Sequence, residues 1–135
     1  MKLNIYNIYI KNSKLKYFLS YFNFIFKDYK NKENKLKLAS QGSSSIGAVR
    51  SSGCMFLCCC YLANLHDIGT CDEAWHTCVN NGWVRASDSF CNVSRYNLAN
   101  KLNGIYRRGI KQGLTFKQIN GHWRLFNGGN QVYSP

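Results

Sequence analysis

The stretch Gly53-Cys54-Met55-Phe56-Leu57-Cys58-Cys59-Cys60-Tyr61-Leu62-Ala63-Asn64-Leu65 decides the reading of this chain. Cys54, Cys58, Tyr61, Leu62 and Leu65 fall on one stripe at helical spacing, and Met55, Phe56, Cys59, Cys60 and Ala63 cover the opposite side. A helix with no polar face until Asn64 and His66 has to be covered all round, so it is expected to be the central buried helix of a domain. The uninterrupted apolar run from Cys54 to Ala63 is ten residues, roughly half of the ~20 that a transmembrane helix needs. No membrane span is expected.

Before that helix, Gln41 to Gly53 is rich in Gly and Ser without an apolar period and is expected to be a loop. After it, Thr70-Cys71-Asp72-Glu73 fits a capping box, in which the Thr70 hydroxyl accepts from the Glu73 amide and the Glu73 carboxylate reaches back to the Thr70 amide. The box predicts a second helix with Ala74, Trp75, Cys78 and Val79 on its apolar face, closed by Gly82 as a left-handed cap after Asn81. A third helix is expected from an N-cap at Ser94 through Tyr96, Leu98, Ala99 and Leu102 to Gly104.

The texture then changes to strands, expected at Ile105 to Ile110, Thr115 to Ile119, His122 to Phe126 and Gln131 to Tyr133. Asn120-Gly121 is the strongest hairpin dipeptide, and Asn127-Gly128-Gly129-Asn130 makes a second turn. Helices first and an antiparallel meander last predict an α+β fold, with the buried central helix packed on a C-terminal antiparallel sheet.

With 135 residues, 45% of them hydrophobic, the chain has apolar surface for one compact core. Residues 1–38 differ in texture and read as a basic, aromatic-rich N-terminal segment ahead of a domain over 39–135. Within it Leu15, Phe18, Leu19, Phe22 and Phe26 recur at helical spacing, with Tyr17, Tyr21, Phe24 and Ile25 on the other side. A helix apolar nearly all round is buried, partner-bound or laid on a membrane surface, and burial in the same domain is the expected outcome. Lys30 to Lys37 is a charged link.

A net charge of +12 ordinarily points to nucleic acid or an anionic membrane as partner. Here residues 1–37 hold nine lysines against Asp28 and Glu33. That segment is built mainly from Lys, Asn, Ile, Tyr and Phe, the set that A/T-rich codons produce, so the charge is read first as codon bias. Arg107-Arg108 with Lys111 reads as easily as a solvated face as a nucleic-acid surface. A noncatalytic basic protein that binds DNA, RNA or a membrane surface is the alternative function, and salt-dependent DNA retention is its sign.

Seven cysteines, an odd number with Cys58, Cys59 and Cys60 adjacent, do not make a disulfide framework. The N-terminus carries no apolar run with a small-residue cleavage site, so a reducing, cytoplasmic compartment with free thiols is expected. No two cysteines stand in C-x-x-C spacing, which argues against zinc. No metal and no cofactor is expected.

Cys54 differs from the other thiols because it opens the buried helix after Ser51-Ser52-Gly53. The positive end of a helix dipole stabilises a thiolate there. His122 follows the hairpin turn at the start of a strand, a position from which one imidazole edge can meet the helix terminus. Cysteine and histidine far apart in sequence are the usual arrangement of a thiol–imidazole pair.

On these residues the chain resembles papain-like cysteine peptidases of the bacteriocin-leader peptidase type. The run from Gln41 to Gly53-Cys54 and on to Leu62-Ala63 is similar to that family's nucleophile region. The tail Gly121-His122-Trp123-Arg124-Leu125-Phe126-Asn127-Gly128-Gly129-Asn130-Gln131-Val132-Tyr133-Ser134-Pro135 is similar to its His-bearing strand, Gly turn and short strand before proline. The chain also resembles a small family encoded on Borrelia plasmids and prophages, which accounts for the Lys/Asn/Ile bias and implies no activity.

The peptidase resemblance implies a papain-like fold and a cysteine hydrolase of amide bonds, acting on a peptide or a peptidoglycan cross-link. Cys54 would be the nucleophile, His122 the general base and Gln41 a donor to the oxyanion beside the cysteine's own amide. Two departures stand out. Met55-Phe56-Leu57 replaces the family's Gly-Pro-Thr, and Ser134 stands where an Asp orients the histidine. Asn127 is the nearby amide that would substitute for the Asp. The tail also stops at Pro135, where the family continues in further strand, so the resemblance implies a shortened domain, either active or a degenerate, inactive descendant.

Overall fold

In the computed structural model, which describes residues 21–25 and 38–135, the Gly- and Ser-rich run before Cys54 is not a loop. It forms a 3-10 turn at Gln41–Ser43 and a six-residue helix, α1, at Gly47–Ser52. Tertiary contacts override composition here. Asp72 accepts from Ser44 Oγ at 2.6 Å, from the Ser45 amide at 2.9 Å and from Ser45 Oγ at 2.8 Å. That anchor fixes the approach to α1, and Val49 is fully buried against the core.

The apolar stretch forms α2, Cys54–Leu62, with Phe56, Leu57, Cys58, Cys59 and Cys60 completely shielded from solvent. It ends three residues before Leu65 because Asn64 takes a left-handed φ of 62°. The Leu65 amide then donates back to the Cys60 carbonyl at 2.9 Å and the Asn64 amide to Tyr61 at 3.0 Å, closing a Schellman-type end. Lys111 covers one further carbonyl, its amide donating to Leu62 at 2.8 Å, and its Nζ adds a second donor to the Tyr61 carbonyl at 3.1 Å.

The third helix, α3, spans Ile68–Asn80 and begins ahead of the expected Thr70. Asp67 is its N-cap, and both the amide and Oγ1 of Thr70 donate to Asp67 Oδ2 at 2.9 Å. A carboxylate accepts more strongly than a hydroxyl, so Asp67 takes the cap and Thr70 becomes a first-turn donor. Glu73, freed from the expected box, accepts from the Tyr106 hydroxyl at 2.9 Å. Gly82 takes the expected positive φ, 75°.

Ser94 caps α4, Arg95–Tyr106, by accepting from the Asn97 amide at 3.3 Å. This helix outruns Gly104 and consumes the first two residues of the strand expected at Ile105 to Ile110; the other four form no regular element. Arg107, at φ 56°, ends the helix by donating its amide to the Asn103 carbonyl at 2.8 Å.

Three strands follow: β1 at Thr115–Ile119, β2 at His122–Asn127 and β3 at Asn130–Tyr133, paired antiparallel in the order β1-β2-β3. Asn120 and Gly121, with φ of 53° and 78°, both occupy the left-handed region that a two-residue type I′ turn demands, and Ile119 pairs with His122 across it. The helix α2 packs between α4 and β2. Tyr133 closes the core, its hydroxyl donating to the Ala39 carbonyl at 2.5 Å. Helices and antiparallel sheet make an α+β fold.

The chain divides into two units, Met1–Leu36 and Lys37–Pro135. Of the first, residues 21–25 are helical and fall inside the helix expected at Leu15 to Phe26. The rest of that helix and the Lys30 to Lys37 link lie outside the described residues.

Candidate functional site

A cleft of about 780 Å³ opens where the starts of α2 and α4 meet the β1–β2 hairpin, and Cys54, His122 and Gln41 all line it. The helix that carries Cys54 also tethers the other two walls. Cys58 Sγ lies 3.6 Å from the Trp123 carbonyl on β2, and Cys59 Sγ lies 3.4 Å from the Arg95 carbonyl on α4.

Cys54 is the first residue of α2 and 9% exposed, buried yet facing the cleft. One turn before it, the Arg50 carbonyl accepts from Gln41 Nε2 at 3.0 Å. In an unbroken helix that carbonyl would take the Cys54 amide. Among the described residues no acceptor pairs with the Cys54 amide, so it and the second N–H of Gln41 stand at the same helix junction. The Gln41 amide also donates to the Pro135 carbonyl at 2.8 Å, which holds the tail beside the turn.

His122, half-buried at the start of β2, has its pKa lowered, first by burial and then by the nearby positive charge of Arg124. The ring is therefore neutral near pH 7, the form that accepts a proton. No side chain among the described residues bonds to it.

The two orienting candidates differ in placement. Asn127 is exposed at the opposite end of β2, five residues from His122, roughly 17 Å away by strand rise. It pairs with Asn130 and is out of reach of the imidazole, which corrects its candidacy as a substitute for the Asp. Ser134 follows Tyr133, the partner of Leu125, so it falls level with Arg124, two residues along β2 from His122. It is exposed, and its hydroxyl makes no hydrogen bond among the described residues.

Five of the remaining thiols divide in two. Burial raises Cys58, Cys59 and Cys60, with neighbouring thiols adding to the effect, and pushes Cys78 up to about 12. These are packing residues, inert as nucleophiles. Cys91 behaves differently: a hydrogen bond from Cys59 lowers its pKa, and Arg95 adds to this against the effect of burial. Cys91 and Arg95 both line the cleft, and sequence reasoning passed over both. Arg95 sits one residue after the Ser94 cap, a position visible in the sequence, but nothing local puts it over Trp123 or in one cleft with Cys54.

All seven cysteines are free, and among the described residues no group of three or more His, Cys, Asp or Glu side chains is arranged to hold a metal ion. No described helix is long and apolar enough to cross a membrane. Comparisons with known protein families, curated proteins and solved structures return no match.

Proposed function

We propose that the unit Lys37–Pro135 is a papain-like cysteine hydrolase of amide bonds, with a peptide or a peptidoglycan cross-link as substrate. The observation that carries this reading is the shared cleft: a thiol at the start of a buried helix, a neutral imidazole at the start of a strand, and an unsatisfied backbone amide beside a side-chain amide. Each group has a role in acyl transfer. His122 takes the Cys54 proton, and the thiolate attacks the carbonyl carbon of the amide. The oxyanion accepts from the Cys54 amide and from Gln41 Nε2. The imidazolium returns the proton to the leaving amine as the C–N bond breaks and a thioester remains. Water, deprotonated by His122, hydrolyses the thioester and restores the thiol.

The experiment is thiol labelling with iodoacetamide near neutral pH, mapped by mass spectrometry. Faster labelling of Cys54 than of the other six thiols, reduced at least tenfold in His122→Ala, supports the pair. Uniform slow labelling of all seven, unaffected by His122→Ala, overturns it and favours a noncatalytic basic binding protein.

A further inference from the structure

Among the described residues, Arg95 is the one Lys or Arg that lines the cleft, and no Asp or Glu lines it. The guanidinium lies over two aromatic faces, 4.8 Å from the Trp123 ring centre and 5.1 Å from that of Phe116. Those two rings are inclined at 76° to one another, so contact with both confines the guanidinium from two directions, and its N–H donors are its hydrogen-bonding capacity. Among the described residues those donors meet no carboxylate and no other acceptor, although the residue is half-buried. Arg85, by contrast, is paired with Asp88. A half-buried, immobilised guanidinium with no anion is matched in geometry and charge to a bidentate carboxylate.

We infer that Arg95 is a specificity-determining residue that receives a carboxylate of the substrate close to the scissile amide. The substrate class is thus an acidic peptide, and this rests on the hydrolase reading only for the word scissile; the carboxylate subsite itself stands on Arg95, Trp123 and Phe116. Trp123 follows His122 directly on β2, and both residues line the same cleft as Arg95. The carboxylate comes from an acidic side chain or from a free C-terminus, and the chemistry is the same for both.

The test uses the full chain carrying Cys54→Ser, so that nothing turns over, and calorimetric titration with three peptides. These are acetyl-Ala-Glu-Ala-amide, its Gln counterpart, and acetyl-Ala-Ala-Ala with a free C-terminus. At least one carboxylate peptide is expected to bind about tenfold more tightly than the Gln peptide, and the tighter of the two identifies the source. Added salt narrows the gap. Arg95→Gln abolishes it, Arg95→Lys keeps part of it, and Lys117→Gln, which removes the same charge outside the cleft, leaves it intact.

Equal affinity for all three peptides, no measurable binding of any, or a preference that survives Arg95→Gln overturns the inference. The comparison among the three peptides needs no variant at Arg95 to fold. Iodoacetamide labelling of the wild type separates this from the hydrolase reading. Selective, His122-dependent labelling with no carboxylate preference removes the subsite alone. A carboxylate preference without selective labelling keeps the subsite and removes the hydrolase.

Discussion

Gly53 packs so closely on Val49 that a Cβ added to it would stand 2.7 Å from both the Cα and the carbonyl oxygen of Val49. Real Cβ atoms do not approach backbone that closely, so glycine is required here by space, with φ at an ordinary −89°. The contact sets the angle between α1 and α2 and with it the position of Cys54. Gly53→Ala is expected to destabilise the fold by about 1–3 kcal/mol and to slow Cys54 labelling. Thermal melting and alkylation rates check both, and an unchanged melt would show that the junction yields freely.

Helix α3 offers a choice between two caps that mutagenesis can separate. Asp67→Ala removes the acceptor of both Thr70 donors and is expected to cost about 1 kcal/mol. Thr70→Ala loses only one exposed hydroxyl and is expected to cost less. Denaturant midpoints compare the two, and a larger loss in Thr70→Ala would restore the capping box.

The buried thiols predict weakness toward base. Cys58, Cys59, Cys60 and Cys78 have pKa values raised above 9.0 by burial. A raised folded pKa gives stability that is complete below the unfolded value and lost as pH climbs from there toward the folded one. Each thiol thus withdraws up to about 1.4 kcal/mol per pH unit above 9. Lys111, lowered to about 8 by burial, acts the opposite way between about 8 and 10.5, but it is a single group set against four. Urea unfolding in reductant at pH 7, 9 and 10 should show a falling midpoint above 9, and a flat profile would contradict this account.

Ser134 stands diagonally across from His122, level with Arg124 on the neighbouring strand. A carboxylate stabilises an imidazolium better than a hydroxyl does, so wild type is expected to be weakly active or inactive on generic peptides. Diagonal neighbours on paired strands come within reach of one another. Ser134→Asp is expected to raise the His122 pKa, followed by NMR, and to speed Cys54 alkylation. An unshifted histidine in a folded Ser134→Asp protein would mean that this position does not face the imidazole.

The local signals that read correctly share one property: each is written within a short run of chain. The all-round apolar pattern gave α2 its buried place, Ser94 capped α4, and Asn120-Gly121 closed the β1–β2 hairpin because only such residues tolerate two successive left-handed conformations. The signal before α2 failed because a distant partner decided the outcome. Ser44 and Ser45 are ordered by Asp72, 28 and 27 residues away, so a glycine- and serine-rich run became turn and helix.

The thiol, imidazole and amide of the candidate site were legible as residue types in suggestive positions, since a helix start and a strand start can be read from sequence. Their common cleft was not, because it exists only once α2 is packed between α4 and β2. Arg95 shows the limit most clearly. Its charge is written in the chain, but its place over Trp123 and Phe116, and the missing counter-charge that gives it meaning, are set by tertiary packing alone, since electrostatic partnership depends on distance in space and sequence separation does not fix it.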